Sequence, residues 1–129
     1  MTREEFIKVL DEKGYSYEIE GDKLVVTYKG DVDLESLQTL PPGVVFKNRG
    51  WIFLGFLKTI PYGVEFRNEG YVNLYSLQAI HPGVEFNNEG DVWLGSLLAG
   101  VWFRYWNGNI KGIDRKMLLN FMISKGMFI

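Results

Sequence analysis

The side chains that could do chemistry are few in this sequence, and their spacing does not assemble a catalytic centre. No cysteine occurs among the 129 residues, which excludes disulfides, cysteine ligands and cysteine nucleophiles. His81 is the only histidine, and it falls at a position where prolines recur, Pro41 and Pro61. A serine nucleophile needs a histidine base beside it, and His81 is better explained as a tolerated substitution at an exposed corner. We therefore expect neither enzyme activity nor a cofactor.

Carboxylates approach two kinds of site without completing either. Asp31, Asp33 and Glu35 alternate as calcium ligands could, but aromatic residues occupy the equivalent places 20 residues later. Glu65 and Glu85 could be drawn as the carboxylate pair of a glycosidase, yet their 20-residue separation favours a solvated edge column. One histidine and scattered carboxylates do not supply the clustered ligands of a metal site. The sequence predicts no bound metal.

Composition and charge narrow the class of protein further. Hydrophobic residues make up 47% of the chain and charged residues 23%, as in globular proteins. The net charge is -2 and no basic tract occurs, which gives nucleic-acid binding little support. The opening MTREEF carries acids where a signal peptide needs an apolar core, and no run reaches the roughly 20 apolar residues of a membrane span. We expect a cytoplasmic protein with no membrane partner.

A 20-residue period organises the chain between Gly30 and Gly90. The three units read GDVDLESLQTLPPGVVFKNRG, GWIFLGFLKTIPYGVEFRNEG and GYVNLYSLQAIHPGVEFNNEG. Among the columns that keep the period are Gly30, Gly50, Gly70 and Gly90; Val32, Ile52, Val72 and Val92; Leu34, Leu54, Leu74 and Leu94; Phe46, Phe66 and Phe86; Asn48, Asn68 and Asn88. Such a period indicates stacked coils, none of which can bury its apolar side alone.

Each unit carries two short strand patterns, Gly-Val-x-Phe and x-Val-x-Leu, whose alternation separates inward from outward residues. They predict a mainly β (α+β) fold, a short parallel β-solenoid with 20 residues per coil. Gly50 is expected to turn one corner with positive φ, and Pro41-Pro42-Gly43 the other. Asn48, Asn68 and Asn88 are expected to stack at a corner, where their amides bond to the backbone or to each other.

The N-terminal residues predict a cap made of a helix and a hairpin. Thr2 and Glu5 have the spacing of a capping box at the start of a helix that runs to Lys13. Gly14 suits the left-handed position after a helix. Alternation at residues 15–19 and 24–28 around a turn predicts a hairpin whose second strand is also the first rung of the solenoid.

We expect the whole chain, residues 1–129, to form a single domain. Residues 1–28 are the helix and hairpin cap, residues 29–113 the repeat coils and residues 114–129 a C-terminal helical cap. The Gly-Val-x-Phe pattern returns at Gly100–Phe103 and predicts a last coil with a trimmed corner. Ile110 begins a final strand.

The consensus G-x-V-x-L-x-x-L-x-x-L-P-x-G-V-x-F-x-N-x resembles the short leucine-rich-like repeats of small bacteriophage and prophage proteins, and distantly the short bacterial leucine-rich repeats that carry Leu-Pro. The resemblance covers roughly Gly21 to Ile113 and implies no catalytic residue. Many small phage proteins bind host proteins, including components of CRISPR and other defence systems. The resemblance therefore implies an inhibitor of a host protein in the bacterial cytoplasm. Because Gly-Val-x-Phe replaces the usual helix, a compact coil is expected rather than a horseshoe.

The outward columns vary from unit to unit, and the packing of the coils does not require any particular residue there. We define the aromatic face as Trp51, Phe53, Phe56, Tyr71, Tyr75 and Trp93. We define the acidic rim as Asp31, Asp33, Glu35 and Asp91. An exposed aromatic patch is typical of an interface, so the aromatic face together with Asp31, Asp33 and Asp91 is predicted to bind the partner. Alternatively, a terminal helix or the hairpin covers this sheet and makes it core.

Three other functions remain open from the sequence. Aromatic residues beside carboxylates also suit a carbohydrate-binding or structural phage protein. The columns Glu65, Glu69, Glu85 and Glu89 could mimic a nucleic acid, although a net charge of -2 is small for that role. The aromatic face could also pair two copies of the chain as a homodimer.

Overall fold

The computed structural model describes residues 1–81, 83–93, 102–106 and 109–110. Within these ranges the chain forms one helix, α1 at Arg3–Lys13, followed by short strands. The strands are β1 Tyr17–Glu20, β2 Lys23–Val26, β3 Val32–Asp33, β4 Val44–Phe46, β5 Ile52–Phe53, β6 Thr59–Ile60, β7 Glu65–Phe66, β8 Val72–Asn73, β9 Ala79–Ile80, β10 Glu85–Phe86, β11 Asp91–Trp93, β12 Trp102–Trp106 and β13 Asn109–Ile110. No helix in the described part is both long enough and apolar enough to cross a membrane.

The strands form a parallel β-solenoid, as the column pattern predicted. The first sheet has the order β1-β2-β4-β7-β10 and the second the order β13-β12-β11-β8-β5-β3. Register pairs join residues 20 positions apart, such as Glu65 with Glu85 and Ile52 with Val72. The sequence did not predict a third sheet, in which Thr59–Ile60 pairs with Ala79–Ile80.

The N-terminal cap has the predicted form. Thr2 and Glu5 make both hydrogen bonds of the capping box, and Gly14 ends the helix at φ 73°. β1 and β2 form an antiparallel hairpin, and β2 pairs in parallel with β4. Phe6 and Leu10 of α1 are fully buried in the same apolar cluster as the coils. The helix therefore closes the first end of the core, where no further coil would bury it.

The core is a stack of uniform columns between the sheets. Leu34, Leu54 and Leu74 are fully buried. The rings of Phe46, Phe66 and Phe86 stack almost parallel, with centroids 5.3 and 5.1 Å apart. At the outward positions of the first sheet, Val25 and Val45 are also buried, which alternation did not predict. They line a groove whose other residues are charged: Glu20, Lys23, Lys47, Glu65 and Arg67. Long side chains of this kind can cover apolar surface with their stems.

The asparagine column lies at a corner between the sheets and bonds to the backbone. Asn48, Asn68 and Asn88 are fully buried. The Nδ2 of Asn68 donates to the carbonyls of Gly70 at 2.8 Å and Gly50 at 3.3 Å, and that of Asn48 donates to Gly50 and Gly30 at 3.1 Å each. These two amides join their own coil to the coil before it, whereas Asn88 donates to Gly90 of its own coil. A buried carbonyl without a donor would be costly. These side chains therefore hold the corner together.

The expected positive φ at Gly50 is wrong. The left-handed glycines of the coils are Gly43 and Gly63, in the proline corners. At Gly50 a Cβ would lie 2.7 Å from the backbone nitrogen of Asp31, and at Gly70 it would lie 2.6 Å from the carbonyl oxygen of Gly50. The glycine column is required because successive coils approach too closely for any side chain.

The expected parallel coil at Gly100–Phe103 is also wrong where the structure describes it. Trp102 and Phe103 belong to β12, which pairs antiparallel with β11 in the second sheet. β13 then pairs antiparallel with β12. A strand pattern fixes which residues share a face but not the direction of its neighbour. The trimmed corner before β12 and the C-terminal helix at 114–129 lie outside the described residues.

Candidate binding face

The aromatic face lies on the outer side of the second sheet. Three of its side chains are strongly exposed: Trp51 at 51%, Phe56 at 56% and Tyr75 at 49% of their surface. Phe53, Tyr71 and Trp93 are half-buried. Each strand turns its alternate residue inward, so buried Ile52 and Val72 anchor the backbone that carries these rings. Phe53 and Trp93 lie in β5 and β11, Trp51 and Tyr71 directly precede β5 and β8, and Phe56 and Tyr75 lie in the turns that follow these two strands.

The aromatic rings contact each other rather than pointing separately into solvent. Trp51 lies 5.2 Å from Tyr71 and 5.9 Å from Phe53, between ring centroids. Tyr75 meets Trp93 edge to face at 4.9 Å. These distances suit favourable aromatic pairs. These contacts restrict the orientations of the five rings that make them in the unbound chain.

The N-terminal cap does not cover this face. The hairpin extends the first sheet through β2, and α1 packs its buried residues on the end of the core. Only Tyr15 reaches the lower edge of the second sheet, where its hydroxyl accepts a hydrogen bond from the Asp33 amide at 3.0 Å. The hairpin alternative from the sequence is therefore wrong. The predicted C-terminal helix lies outside the described residues.

Two acids of the rim have structural bonds that the sequence did not reveal. Asp31 Oδ1 accepts from the backbone N–H of Trp51 at 2.8 Å, which ties the first coil to the second. Asp33 Oδ1 accepts from the amide of Glu35 at 3.1 Å, and Asn73 makes the same turn with Tyr75 at 3.0 Å. Both aspartates remain exposed. Their negative charge therefore borders the face while their oxygens stabilise turns.

A groove opens within the aromatic face. Its volume is about 310 Å3. The lining residues are Glu35, Gly55, Phe56, Asn73, Tyr75, Ser76 and Trp93. Gly55 provides the opening, because it stands in the same column as Glu35 and Tyr75 and has no side chain. A Cβ there would lie 3.4 Å from Glu35 Oε1. The Glu35 carboxylate thus borders a space walled by aromatic rings.

The outer side of the first sheet has a different chemistry. We call it the charged face, defined by Lys47, Glu65, Arg67, Glu85 and Asn87. Glu65 pairs with Arg67 and also accepts from Asn87 at 3.1 Å. Burial raises the pKa of Glu65, but the hydrogen bonds from Arg67 and Asn87 and the charge of Arg67 outweigh it, so the pKa is lowered. The hydrogen bond to Glu65 raises the pKa of Arg67. Part of this face is therefore already neutralised internally.

Another groove, of about 400 Å3, lies at the N-terminal corner beside Pro41, Pro42 and Tyr62. Two cationic side chains line it, and both donate to backbone carbonyls. Lys23 Nζ donates to the Gly63 carbonyl at 3.2 Å, and Arg3 donates to the Asp22 carbonyl. These bonds hold the two side chains against the backbone, although each has further N–H donors.

His81 has a local structural role. Its Nδ1 accepts a hydrogen bond from the backbone N–H of Gly83 at 3.0 Å, and its ring lies 5.9 Å from that of Tyr62. In the described part of the chain, no group of three or more acidic or histidine side chains could hold a metal ion.

Comparison with known proteins gives no match: no protein-family model, no curated protein and no solved structure is similar to this chain.

The structure thus brings the predicted aromatic residues together and adds a groove that the sequence analysis missed. The signal for the groove was present, because Gly55 interrupts the column that reads Glu35, Gly55 and Tyr75. Variation in an outward column does not by itself predict a groove. Its meaning depends on Phe56 and Trp93, which stand in other columns and border the gap only once the coils are stacked.

Proposed function

We propose that this chain is a non-catalytic protein-binding module and that the aromatic face contacts its partner. The observation that carries the proposal is the exposure of Trp51, Phe56 and Tyr75 beside strands β5 and β8 of the parallel sheet. The folded chain does not need these residues there, because the inward columns already bury the core. Exposed aromatic clusters of this kind mark interfaces, and tryptophan and tyrosine dominate their binding energy.

The rigidity of the aromatic face favours tight binding, because little conformational entropy is lost when a partner associates. The backbone of the second sheet is bonded from coil to coil, as when the amide of Ile52 donates to Tyr71 O at 2.8 Å. Trp51 and Tyr71 are held in mutual contact. Association therefore orders few additional side chains, and the entropic cost of binding is reduced.

The partner that we propose is a host protein of a bacterium, such as a component of CRISPR or another antiviral defence system, which the module inhibits in the cytoplasm. This part rests on the resemblance to leucine-rich-like repeats of phage proteins. The same resemblance supports a 20-residue unit that extends toward Ile113 and a helical cap at residues 114–129.

The test compares three immobilised baits in a bacterial lysate: the parent chain, Trp51→Ala and Arg67→Ala. Trp51 and Arg67 are both about half exposed, at 51% each, but lie on opposite faces. A partner of the aromatic face is retained by the parent and by Arg67→Ala and is lost from Trp51→Ala. The proposal is wrong if every specific protein survives Trp51→Ala.

The inhibitory role needs a second measurement. Phage plating is compared in cells that carry an active defence system, with and without the expressed chain. Restored plating with the parent but not with Trp51→Ala supports inhibition through the aromatic face. Unchanged plating against a panel of defence systems, with the chain folded and abundant, argues against anti-defence activity while leaving protein binding to be judged by the baits.

A second candidate is carbohydrate binding, by a sugar-binding or structural phage protein. The groove favours it, since Phe56, Tyr75 and Trp93 stand beside the Glu35 carboxylate. A glycan array tests it directly. Binding that requires Trp93 and occurs in the absence of any protein partner would replace the first proposal.

A further inference from the structure

We propose that the groove at Gly55 receives an arginine side chain of the protein partner. This inference rests on the proposed protein-binding function and names the chemistry of one anchor. The observations are the aromatic walls, the carboxylate beside them, and the charge of the residues around the groove.

The walls of the groove suit a flat cation. Tyr75 and Trp93 meet edge to face at 4.9 Å, and Phe56 is 56% exposed at the same groove. The faces of aromatic rings carry negative potential and attract cations. A guanidinium is planar and weakly hydrated, so it stacks on such rings more readily than an ammonium does.

Glu35 gives the groove its charge. In the described part of the chain this carboxylate has no ion-pair partner. It borders the space left by Gly55, where a Cβ would touch its Oε1 at 3.4 Å. A guanidinium lying in the groove could therefore stack on a ring and donate to Glu35, a charge-assisted bond that is stronger than one between neutral groups.

The part of the face around the groove shows the same complementarity. The outward positions of residues 31–36, 51–56 and 71–76 hold the acids Asp31, Asp33 and Glu35 and no lysine or arginine. Asp91, by contrast, is the register partner of Arg104 in β12. Lys47 and Arg67 lie on the charged face, next to Glu65. A basic partner is attracted to this face and oriented on it.

The experiment titrates the full chain with three probes while amide and indole N–H signals are followed by NMR. The probes are the Nα-acetyl amides of arginine, lysine and citrulline, the last being a neutral isostere of arginine. We expect the arginine probe to shift the Gly55 and Tyr75 signals saturably at millimolar concentration. Citrulline should bind at least about tenfold more weakly than arginine, because it lacks the positive charge that is attracted to the rings and to Glu35.

Two variants place the binding in the groove. Glu35→Gln should weaken the arginine probe several-fold, and Gly55→Leu should abolish its binding by filling the space. Glu18→Gln is the matched control, since Glu18 is an exposed glutamate on β1 of the other sheet. Thermal unfolding confirms that each variant is folded.

Several outcomes would overturn the inference. Citrulline could bind as well as arginine, or the arginine shifts could centre on another surface. A methyl glycoside could saturate the same signals while the arginine probe does not, which assigns the groove to sugars. Sedimentation could show a dimer that Gly55→Leu disperses, which assigns it to a second copy of the chain. If only the inference fails, Trp51→Ala still loses the captured partner; if the proposed function fails, the partner is retained whatever the probes do.

Discussion

The two outer faces of the solenoid share one backbone architecture and differ in chemistry. On the charged face, Glu65 bonds to Arg67 and Asn87, and the three side chains satisfy one another. On the aromatic face, Trp51 and Tyr75 are about half exposed and a carboxylate stands beside a groove. Both faces lie over the same buried columns. The difference is therefore not required by the fold, and it is the basis of the binding function that we propose.

The comparison also separates two kinds of repetition. Inward positions repeat because each must fill the same space between neighbouring coils, as Leu34, Leu54 and Leu74 do. Outward positions are released from that demand, so Glu35, Gly55 and Tyr75 can share one column. In a repeat protein the departures from the period are the places to look for function.

The largest loss of stability is expected from a substitution in the buried asparagine column, which lies at the corner between the two sheets. In Asn68→Asp a carboxylate replaces the amide that donates to Gly50 and Gly70. The new charge would face carbonyl oxygens without a partner, and we expect a loss of about 3–5 kcal/mol in the free energy of unfolding. Urea unfolding at neutral pH measures it. The loss should shrink in acid, where a protonated carboxyl can again donate.

Asn73→Asp is the control for that substitution. In the hydrogen bond recorded for its side chain, Asn73 is the acceptor: its Oδ1 accepts from the backbone N–H of Tyr75. Asp33, in the same column, accepts in the same way from the backbone N–H of Glu35. This variant should unfold close to the parent. If both substitutions were equally harmful, the donor role of the buried column would be wrong.

Leu74→Ala tests whether the aromatic face relies on the core beneath it. Leu74 is fully buried between the coils, and the cavity left by truncation should destabilise the chain by about 2–5 kcal/mol. An unfolding midpoint equal to that of the parent would contradict the inward assignment. Hydrogen exchange should show weakened protection on both faces, because one interior supports both.

Gly70→Ala sharpens the difference between inward and outward glycines. The added Cβ would lie 2.6 Å from the carbonyl oxygen of Gly50, where only backbone can yield. We expect a loss of roughly 1–3 kcal/mol, measured by chemical unfolding. Gly55→Ala is the matched control, since its Cβ meets only the movable side chain of Glu35 at 3.4 Å or more. Equal losses at the two positions would show that close approach is not the reason for the glycine column.

Trp51→Ala should separate binding from stability on the aromatic face. We expect a loss of about 2 kcal/mol or more in affinity for the captured partner, as for a central interface tryptophan. The change in unfolding free energy should be smaller, because the ring is 51% exposed. Calorimetric titration and thermal unfolding of the same samples measure the two quantities. The reverse order, with stability lost and affinity kept, would mean that the ring belongs to the core.

The smallest effect is expected on the charged face and depends on pH. The pKa of folded Glu65 lies below its usual value of 4.5, so the unfolded chain binds the proton more tightly. This contribution to stability is present above pH 4.5 and is lost as the pH falls through the lower, folded value. Arg67→Met should reduce that loss. The Glu65–Arg67 pair should contribute no more than about 1 kcal/mol to the free energy of unfolding, since Arg67 is half exposed. If the parent and Arg67→Met gave the same acid unfolding curve, a contribution from this pair would be excluded.

Much of the fold could be predicted because the repeat places the same demand on each coil. Val32, Ile52 and Val72 recur at a constant step, and only a stack of parallel strands buries them all. The capping box at Thr2 and the hairpin turn after Glu20 are local, so the interactions that form them lie close together in the chain. The shared surface of the aromatic residues follows from the same alternation.

Other features depended on contacts between coils and could not be deduced from one strand at a time. The glycine column could mean a left-handed corner or a close approach, and only the distance from Gly70 to Gly50 decided between them. The strand pattern at Trp102–Phe103 fitted a further parallel coil, but pairing with β11 made it antiparallel.

The sequence by itself determined the solenoid and the side of the sheet on which each aromatic residue lies, because the period and the alternation are properties of the backbone. Tertiary structure decided the groove. Glu35, Gly55, Phe56 and Trp93 belong to different coils or columns and become neighbours only after stacking. The tertiary structure also gave Asp31 its bond to Trp51, which lies 20 residues later in the chain. A surface carboxylate has the same chemistry whether it stabilises a turn or borders a binding groove, and only its neighbours in space determine which of these roles it has.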